Sequence, residues 1–241
     1  MEQLVSLNIG NWAIYQDKGV YSFTQDSVIL ANLANVSSSD RVLDLGCGNG
    51  ILSFLIYCKK NPKLVILKHY VSKMRLILMK MKVFVLKSCE YNKTDNRIKF
   101  INADVKDIRA VCEHESFDVV VCNPPYFSSS IDSQNEHRCI ARTDTENILP
   151  MFIQASAFSL RFGGNLYCSY TCDRLCDLFC TLRENNLEPK DVTLIYTKQK
   201  YEPEVCIIKA RKGGKTGLLM NSLVVMNEDG SYTQQFKEVV K

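Results

Sequence analysis

Between Asp44 and Glu90 the chain has no aspartate or glutamate, although lysine recurs throughout that interval. No strand ending there can close on a carboxylate. Also missing is a basic start followed by an apolar run over Met1 to Val20, and no stretch holds eighteen uninterrupted apolar residues. These absences exclude an ordinary secretory leader and a spanning helix, and predict a cytoplasmic chain with no membrane partner. No internal repeat or low-complexity tract is present, which excludes solenoid architectures. The formal net charge of +4 permits an acidic partner without demanding one.

What is present suits a soluble chain with an ample core. Its 241 residues, 46% of them hydrophobic, are expected to form one domain over 1–241, with 1–35 as an N-terminal segment and 36–241 as the core. Eleven cysteines are scattered through expected strands and helices, so reduced, buried thiols are the expectation. Cys168, Cys172, Cys176 and Cys180 recur every fourth residue. On a helix that spacing makes a packing stripe, and zinc sites use paired cysteines instead, so no metal is expected.

Strand and helix patterns alternate. Arg41-Val42-Leu43-Asp44-Leu45 is a short apolar strand that breaks into Gly46-Cys47-Gly48-Asn49-Gly50, and a helix starts at Ile51. Lys63 to Leu67 is a second strand, Asp95 to Asp104 carries a third, and Phe117 to Cys122 is a fourth. A helix over Asn147 to Leu160 should stop at Gly163-Gly164 before a strand at Asn165 to Cys168. Another helix runs to about Glu184, and strands lie around Val192–Ile195 and Val205–Ile208. Such alternation predicts a mostly parallel sheet covered by helices on both faces. From Val71 to Ser88 a helical apolar face competes with a strand reading over Val83 to Leu86. Its lysines suit a nucleic-acid face, a solvated helix, or a segment whose original sequence has been lost.

Ligands of such sheets bind outside the strand carboxyl ends. Three motifs fall there. Glycines 46, 48 and 50 let main-chain amides approach a ligand at a helix N-terminus. Their spacing is not the dinucleotide Gly-x-Gly-x-x-Gly, and Asp44, acceptor-only when ionised, suits a donor-bearing ligand such as the amino group of S-adenosylmethionine. A plain structural turn is the alternative. Asp104 ends the third strand, where it would accept from an adenine amino group or merely cap the turn at Val105. The fourth strand ends in Asn123-Pro124-Pro125-Tyr126. A conjugated amine is a poor nucleophile; the Asn123 side-chain oxygen and the Pro124 carbonyl are placed to accept its hydrogens, while Tyr126 offers a stacking face worth roughly 1–3 kcal/mol for a base. Alone, the tetrapeptide reads equally well as a proline-stiffened loop. Ser128 to Arg142 is long enough for a substrate lid. Thr24 is placed to cap a helix with Asp26 in its first turn. Lys212-Gly213-Gly214-Lys215-Thr216-Gly217 is a basic turn suited either to phosphate or to a hairpin.

Asp44-Leu45-Gly46-Cys47-Gly48-Asn49-Gly50 followed by Asn123-Pro124-Pro125-Tyr126 resembles the class I S-adenosylmethionine-dependent amino-methyltransferases. Tyr21 to Ala31, Lys212 to Gly217 and Asp229 to Thr233 resemble, more narrowly, the bacterial tRNA (adenine-N6)-methyltransferases that act beside the anticodon of a valine tRNA. The resemblance covers nearly the whole chain and implies a Rossmann-like, mostly parallel seven-stranded sheet. It further implies S-adenosylmethionine as cofactor and tRNA as partner; no metal is expected, and the sequence does not give the oligomeric state, a monomer being favoured. Thr24, Asp26, Asp44, Gly46, Cys47, Gly48, Asn49, Gly50, Asp104 and Asn123 would hold the cofactor, with residues 1–35 closing over it. Asn123, Pro124, Pro125 and Tyr126 would position the amine. Release-factor glutamine methyltransferases share the central motifs and supply an alternative substrate; a catalytically impaired RNA-binding member is another alternative. The chain departs from the family over about 66–88, where Lys68 stands in place of an acid. A locally shifted reading frame, restored before Asn92, would produce that, and losing a charged hydrogen bond there should weaken cofactor binding by about 1.5–3 kcal/mol.

Overall fold

The computed structural model describes residues 2–17, 23–68, 75–101, 103–124 and 145–241. Two strands, β1 (Glu2–Ser6) and β2 (Ala13–Asp17), form an antiparallel hairpin ahead of α1 (Gln25–Leu33). Then follow β3 (Arg41–Leu45), α2 (Ile51–Lys60), β4 (Leu64–Lys68), α3 (Arg75–Tyr91) and β5 (Ile98–Ile101). A 3-10 turn at Val105–Asp107 leads into the short α4 (Ile108–Val111) and β6 (Phe117–Cys122). The second half comprises α5 (Thr145–Ser159), β7 (Leu160–Thr171), α6 (Leu175–Glu184), β8 (Leu187–Lys198), β9 (Val205–Lys212), β10 (Leu219–Met226) and α7 (Gln234–Val240).

One sheet takes the order β10-β8-β9-β7-β6-β3-β4-β5, in which β9 alone runs against the others. Seven of these strands make the expected Rossmann-like sheet, and β10 adds an eighth beside β8. The strand order reverses between β3 and β6, so a crevice opens outside their carboxyl ends. Strand alternation divides the core. Val42, Val65, Val119 and Val121 meet Ile29, Leu30, Phe54 and Leu55 on one face, whereas Leu43, Leu45, Val120 and Cys122 meet Ile108, Phe152, Ile153 and Leu178 on the other.

The basic segment is helical. Met81, Phe84, Val85 and Ser88 are buried at helical spacing while Lys80 and Lys82 face solvent, so the competing strand reading is set aside. The buried face holds the hairpin. Ser88 Oγ accepts from the Tyr15 amide at 2.9 Å, and Asn92 accepts from the Ala13 amide while donating to its carbonyl, at 3.0 and 2.6 Å.

Two other boundaries move. Gly163-Gly164 does not end α5; β7 begins at Leu160 and carries both glycines through an irregularity opposite Phe117–Val119. Because β7 also runs on to Thr171, the four regularly spaced cysteines share no helix. Cys168 is buried in the sheet, Cys172 opens a 3-10 turn, and Cys176 and Cys180 are exposed on α6. The described cysteines are free thiols. Among the described residues no helix is long and apolar enough to cross a membrane.

Asn92 forms a two-bond clamp between α3's end and the hairpin. Asn92→Ala is expected to cost about 1–3 kcal/mol by orphaning the Ala13 backbone, and to speed hydrogen exchange at the β2 amides before global unfolding. Unchanged exchange there would contradict this role for Asn92.

Candidate active site

The site is built at the switch point. In the β3–β6 register Leu45 lies opposite Cys122, so the next residues along each strand, Gly46 and Asn123, leave the sheet side by side. Adjacent strands are about 4.8 Å apart. The turn after β3 runs through left-handed backbone that glycine adopts without strain: Gly46, Gly48 and Gly50 have φ of 78°, 53° and 85°. Gly50 is also closely surrounded: a Cβ would lie 3.0 Å from the Phe54 ring and 3.1 Å from Leu67, so those side chains would have to give way. The Lys68 carbonyl accepts from the Gly46 and Cys47 amides at 2.7 and 3.1 Å, which fixes the turn to the end of β4.

Asp44 points to the α2 side of the sheet and is fully buried. Ser53, in α2's first turns, donates to its Oδ2 at 2.7 Å, while Oδ1 has no hydrogen-bond partner. Burial raises its pKa to about 7, partly offset by hydrogen bonding from Ser53. Beside it, Asn49 is buried; its Oδ1 accepts from the Ile51 amide at 3.3 Å and its Nδ2 has no partner. Burial pushes the Cys47 thiol well above its ordinary pKa, so it is an inert wall.

Asn123 is gripped from two elements that are remote in sequence. Its Nδ2 donates to Ser27 Oγ of α1 at 2.8 Å, and its Oδ1 accepts from Ser169 Oγ of β7. The carbonyl oxygen keeps a second lone pair, so the amide is held without being exhausted. Pro124 follows and is buried. Pro125 and Tyr126, and the expected lid at 128–142, lie outside the described residues, as do Tyr21 and Ser22.

The remaining expected residues are placed less closely. Thr24 stands at the N-cap of α1 without a side-chain capping bond and is exposed; Asp26 lies in the first turn, half-buried. Asp104 Oδ1 accepts from the Lys106 amide at 3.0 Å, so it caps the 3-10 turn, the structural alternative to an adenine contact. At the end of β4, Lys68 is buried, its Nζ has no hydrogen-bond partner, and desolvation lowers its pKa against the opposing pull of Cys112, Asp107 and Asp104. Ser27 is the only one of the three supporting hydroxyls within the quoted motifs. Ser53 has a weak sequence signal, three residues after Gly50 on the helix face turned to Asp44, and Ser169 has none. No cluster of three or more metal-ligating side chains occurs among the described residues.

The methyltransferase small domain model matches residues 11–171. A tRNA1(Val) (adenine(37)-N6)-methyltransferase of Actinobacillus pleuropneumoniae serotype 7 is 25% identical over 95% of this chain and 92% of its own length. One from Haemophilus influenzae is 25% identical over 90% of this chain and 88% of its own. Among solved structures, a predicted O-methyltransferase from Agrobacterium tumefaciens superposes with TM-score 0.70 at 18% identity, covering 89% of this chain and 94% of that one. TYW2 of M. jannaschii, solved with AdoMet, gives 0.58 at 14% identity over 87% and 85%. Sheet order and crevice are those of a class I methyltransferase, the class that uses S-adenosylmethionine. The chain belongs to the methyltransferase small domain family.

The residues present fit that cofactor at one end. The free oxygen of Asp44 and the free amide of Asn49 suit an ammonium and a carboxylate, the two charged groups of a methionine moiety, beside glycines that leave the backbone open. At the other end Lys68 supplies donors only, where ribose hydroxyls are usually held by an acid.

Asp44 also sets a pH signature. Its folded pKa of about 7 lies above the ordinary 3.8, so between those values the folded chain holds a proton that the unfolded chain has released. This contribution to stability is full below the lower value and is lost as pH rises through about 7. Asp44→Asn is expected to flatten the fall in urea midpoint across that window; the same slope in variant and parent would contradict the buried-acid description.

Proposed function

We propose that the protein transfers a methyl group from S-adenosylmethionine to the N6 amino group of adenosine in tRNA. The observation that carries this reading is the clamped Asn123 leaving the sheet beside Gly46. The cofactor, when bound, supplies an electrophilic methyl group on a positively charged sulfur. Asp44 and Asn49, with the backbone at Gly46 to Gly50, hold its methionine end, and ionised Asp44 neutralises the ammonium.

Asn123 acts on the acceptor. Its Oδ1, fixed by Ser169, accepts a hydrogen from the adenine amino group and, with the Pro124 carbonyl, orients the nitrogen lone pair towards the turn. Ser27 stops the amide from rotating. A hydrogen bond to a delocalised amine draws electron density onto nitrogen without a general base, so positioning supplies most of the acceleration. Tyr126, by its place in the motif, stacks on the base once it has left its neighbours, a step that loop nucleotides allow at modest cost. Thr24 and Asp26 stand at the start of α1, the helix whose Ser27 reaches Asn123, and so belong to the segment that closes the site. Asp104 serves first as a cap. Lys68 leaves the ribose less well held than an acid would, so cofactor affinity is expected to be modest.

The adenosine assignment draws on the relatives, which are named for that reaction over nearly their whole length, and on the Asn-Pro-Pro-Tyr corner, suited to a planar amine. Incubating the protein with labelled S-adenosylmethionine and, in parallel, unmodified tRNA or a release factor, then analysing nucleosides and amino acids, is expected to yield N6-methyladenosine. Label appearing instead on release-factor glutamine would overturn it. Asn123→Ala is expected to lower kcat at least 100-fold, about 2.7 kcal/mol, while cofactor affinity stays within a few fold. Retained turnover in that variant would remove Asn123 from the mechanism.

A further inference from the structure

A second concentration of positive charge lies at the other rim of the sheet. At β7's start, β8's start and β9's end, a cleft of about 440 Å³ is lined by Arg161, Phe162, Lys190, Arg211, Gly213 and Lys215, with no acidic residue in its walls. β9 runs against β7, so this cleft opens where the parallel strands begin, whereas Asn123 stands where they end. Phe162 and Ser169 are seven positions apart on β7, at most about 23 Å at about 3.3 Å per residue and roughly 20 Å with the irregularity that β7 carries before Asn165.

The two guanidinium groups converge. At the point where a Cβ on Gly163 would sit, an Arg211 nitrogen lies 3.4 Å away and an Arg161 nitrogen 3.9 Å away. Arg161 is paired with Asp118, but no carboxylate is paired with Arg211 or Lys215 among the described residues. Lys190 Nζ donates to the Lys215 and Gly217 carbonyls at 2.9 and 2.7 Å, and so shapes the turn while keeping its charge. Lys212 is different. Its Nζ is bonded to the Ala157 and Leu160 carbonyls and paired with Glu115 at 3.0 Å, so it is a structural residue of the fold.

Phe162 completes the arrangement. It is 67% exposed, yet its ring sits directly on Gly213, where a Cβ would fall 2.1 Å from a ring carbon. Gly213, at φ 65°, is favoured by the turn and leaves the space that the ring occupies. A large aromatic held against backbone, with its other side in solvent, the Arg211 guanidinium free of a carboxylate beside it and the Asp118-paired Arg161 next to that, is the equipment for a base stacked next to its phosphates.

The geometry points to a polynucleotide-binding site at Arg161, Phe162, Lys190, Arg211 and Lys215, which grips phosphodiesters of the RNA substrate roughly 20 Å from the reacting amine. This rests on the reading that the substrate is tRNA, and it assigns the rim opposite the crevice to a remote part of that molecule. Charge without base-edge hydrogen bonding makes the grip tolerant of sequence.

The test compares the parent protein, Arg211→Ala/Lys215→Ala and Phe162→Ala by titrating labelled tRNA and an unrelated RNA stem-loop over a salt series. For the double variant the slope of log affinity against log salt is expected to flatten by about 2, with about tenfold weaker binding at low salt. Its KM for tRNA should rise while kcat and S-adenosylmethionine affinity stay at the parent values. Phe162→Ala should weaken binding several-fold without changing the slope. Parent-like affinity and slope in the double variant would overturn the site, and parent-like affinity in Phe162→Ala would overturn the stacking platform. Failure of the parent protein to methylate any tRNA would overturn the tRNA reading instead, while the slopes with the unrelated stem-loop still decide whether this cleft binds RNA.

Discussion

The pairing of β3 with β6 is the constraint on which the candidate site depends. Leu43 and Leu45 on one strand, and Val120 and Cys122 on its neighbour, are buried against the same helices, so a one-residue slip of β3 would turn the buried Asp44 away from Ser53 and into that apolar layer. That penalty fixes where both strands end. It therefore fixes Gly46 against Asn123, two residues whose separation along the chain gives no hint that they meet. The α1 and β7 hydroxyls then set the amide's rotation, which the register alone leaves free.

Two ionisable side chains are buried at the ends of neighbouring strands, and neither makes sense as a stabilising group. Asp44 keeps an unsatisfied oxygen and Lys68 an unsatisfied ammonium, each in a setting where a desolvated, unpaired group costs free energy. For Asp44 the cost has a use, because an acceptor that the fold leaves unpaired is available to a cationic ligand. For Lys68 the same argument works against cofactor binding: the position calls for an acceptor and the residue has none. The basic stretch nevertheless folds, because Met81, Phe84, Val85 and Ser88 give α3 a buried face that needs no acid. The architecture thus stands without a carboxylate at the end of β4.

The order of strands and helices was legible in the sequence because each central strand is a short apolar run bounded by glycine, proline or a polar turn. The glycine turn after β3 and the place of Asn123 at the carboxyl end of β6 were legible because glycine and proline punctuate the apolar runs there. The hairpin was not, since Glu2–Ser6 and Ala13–Asp17 are half-polar and become strands by packing on α3. β10 was hidden behind the glycine-rich turn, and its first half, Leu219 to Ser222, is exposed, so it lacks a buried strand's alternation. Gly163-Gly164 resembled a helix stop, but Gly164 is needed in the strand: a Cβ there would lie 2.9 Å from the Asp118 carbonyl. Ser169 could not be found from sequence, because a serine in an apolar strand acquires its role only from the neighbour that the sheet brings to it.

A structure of the protein with S-adenosylhomocysteine, the product that cofactor leaves behind, measures the central juxtaposition directly. The account predicts the amino acid end of the ligand on Asp44 and Asn49, and its sulfur in the gap between the glycine turn and Asn123, facing the amide oxygen. A ligand seated with its sulfur away from Asn123, or with Asp44 untouched, would contradict it.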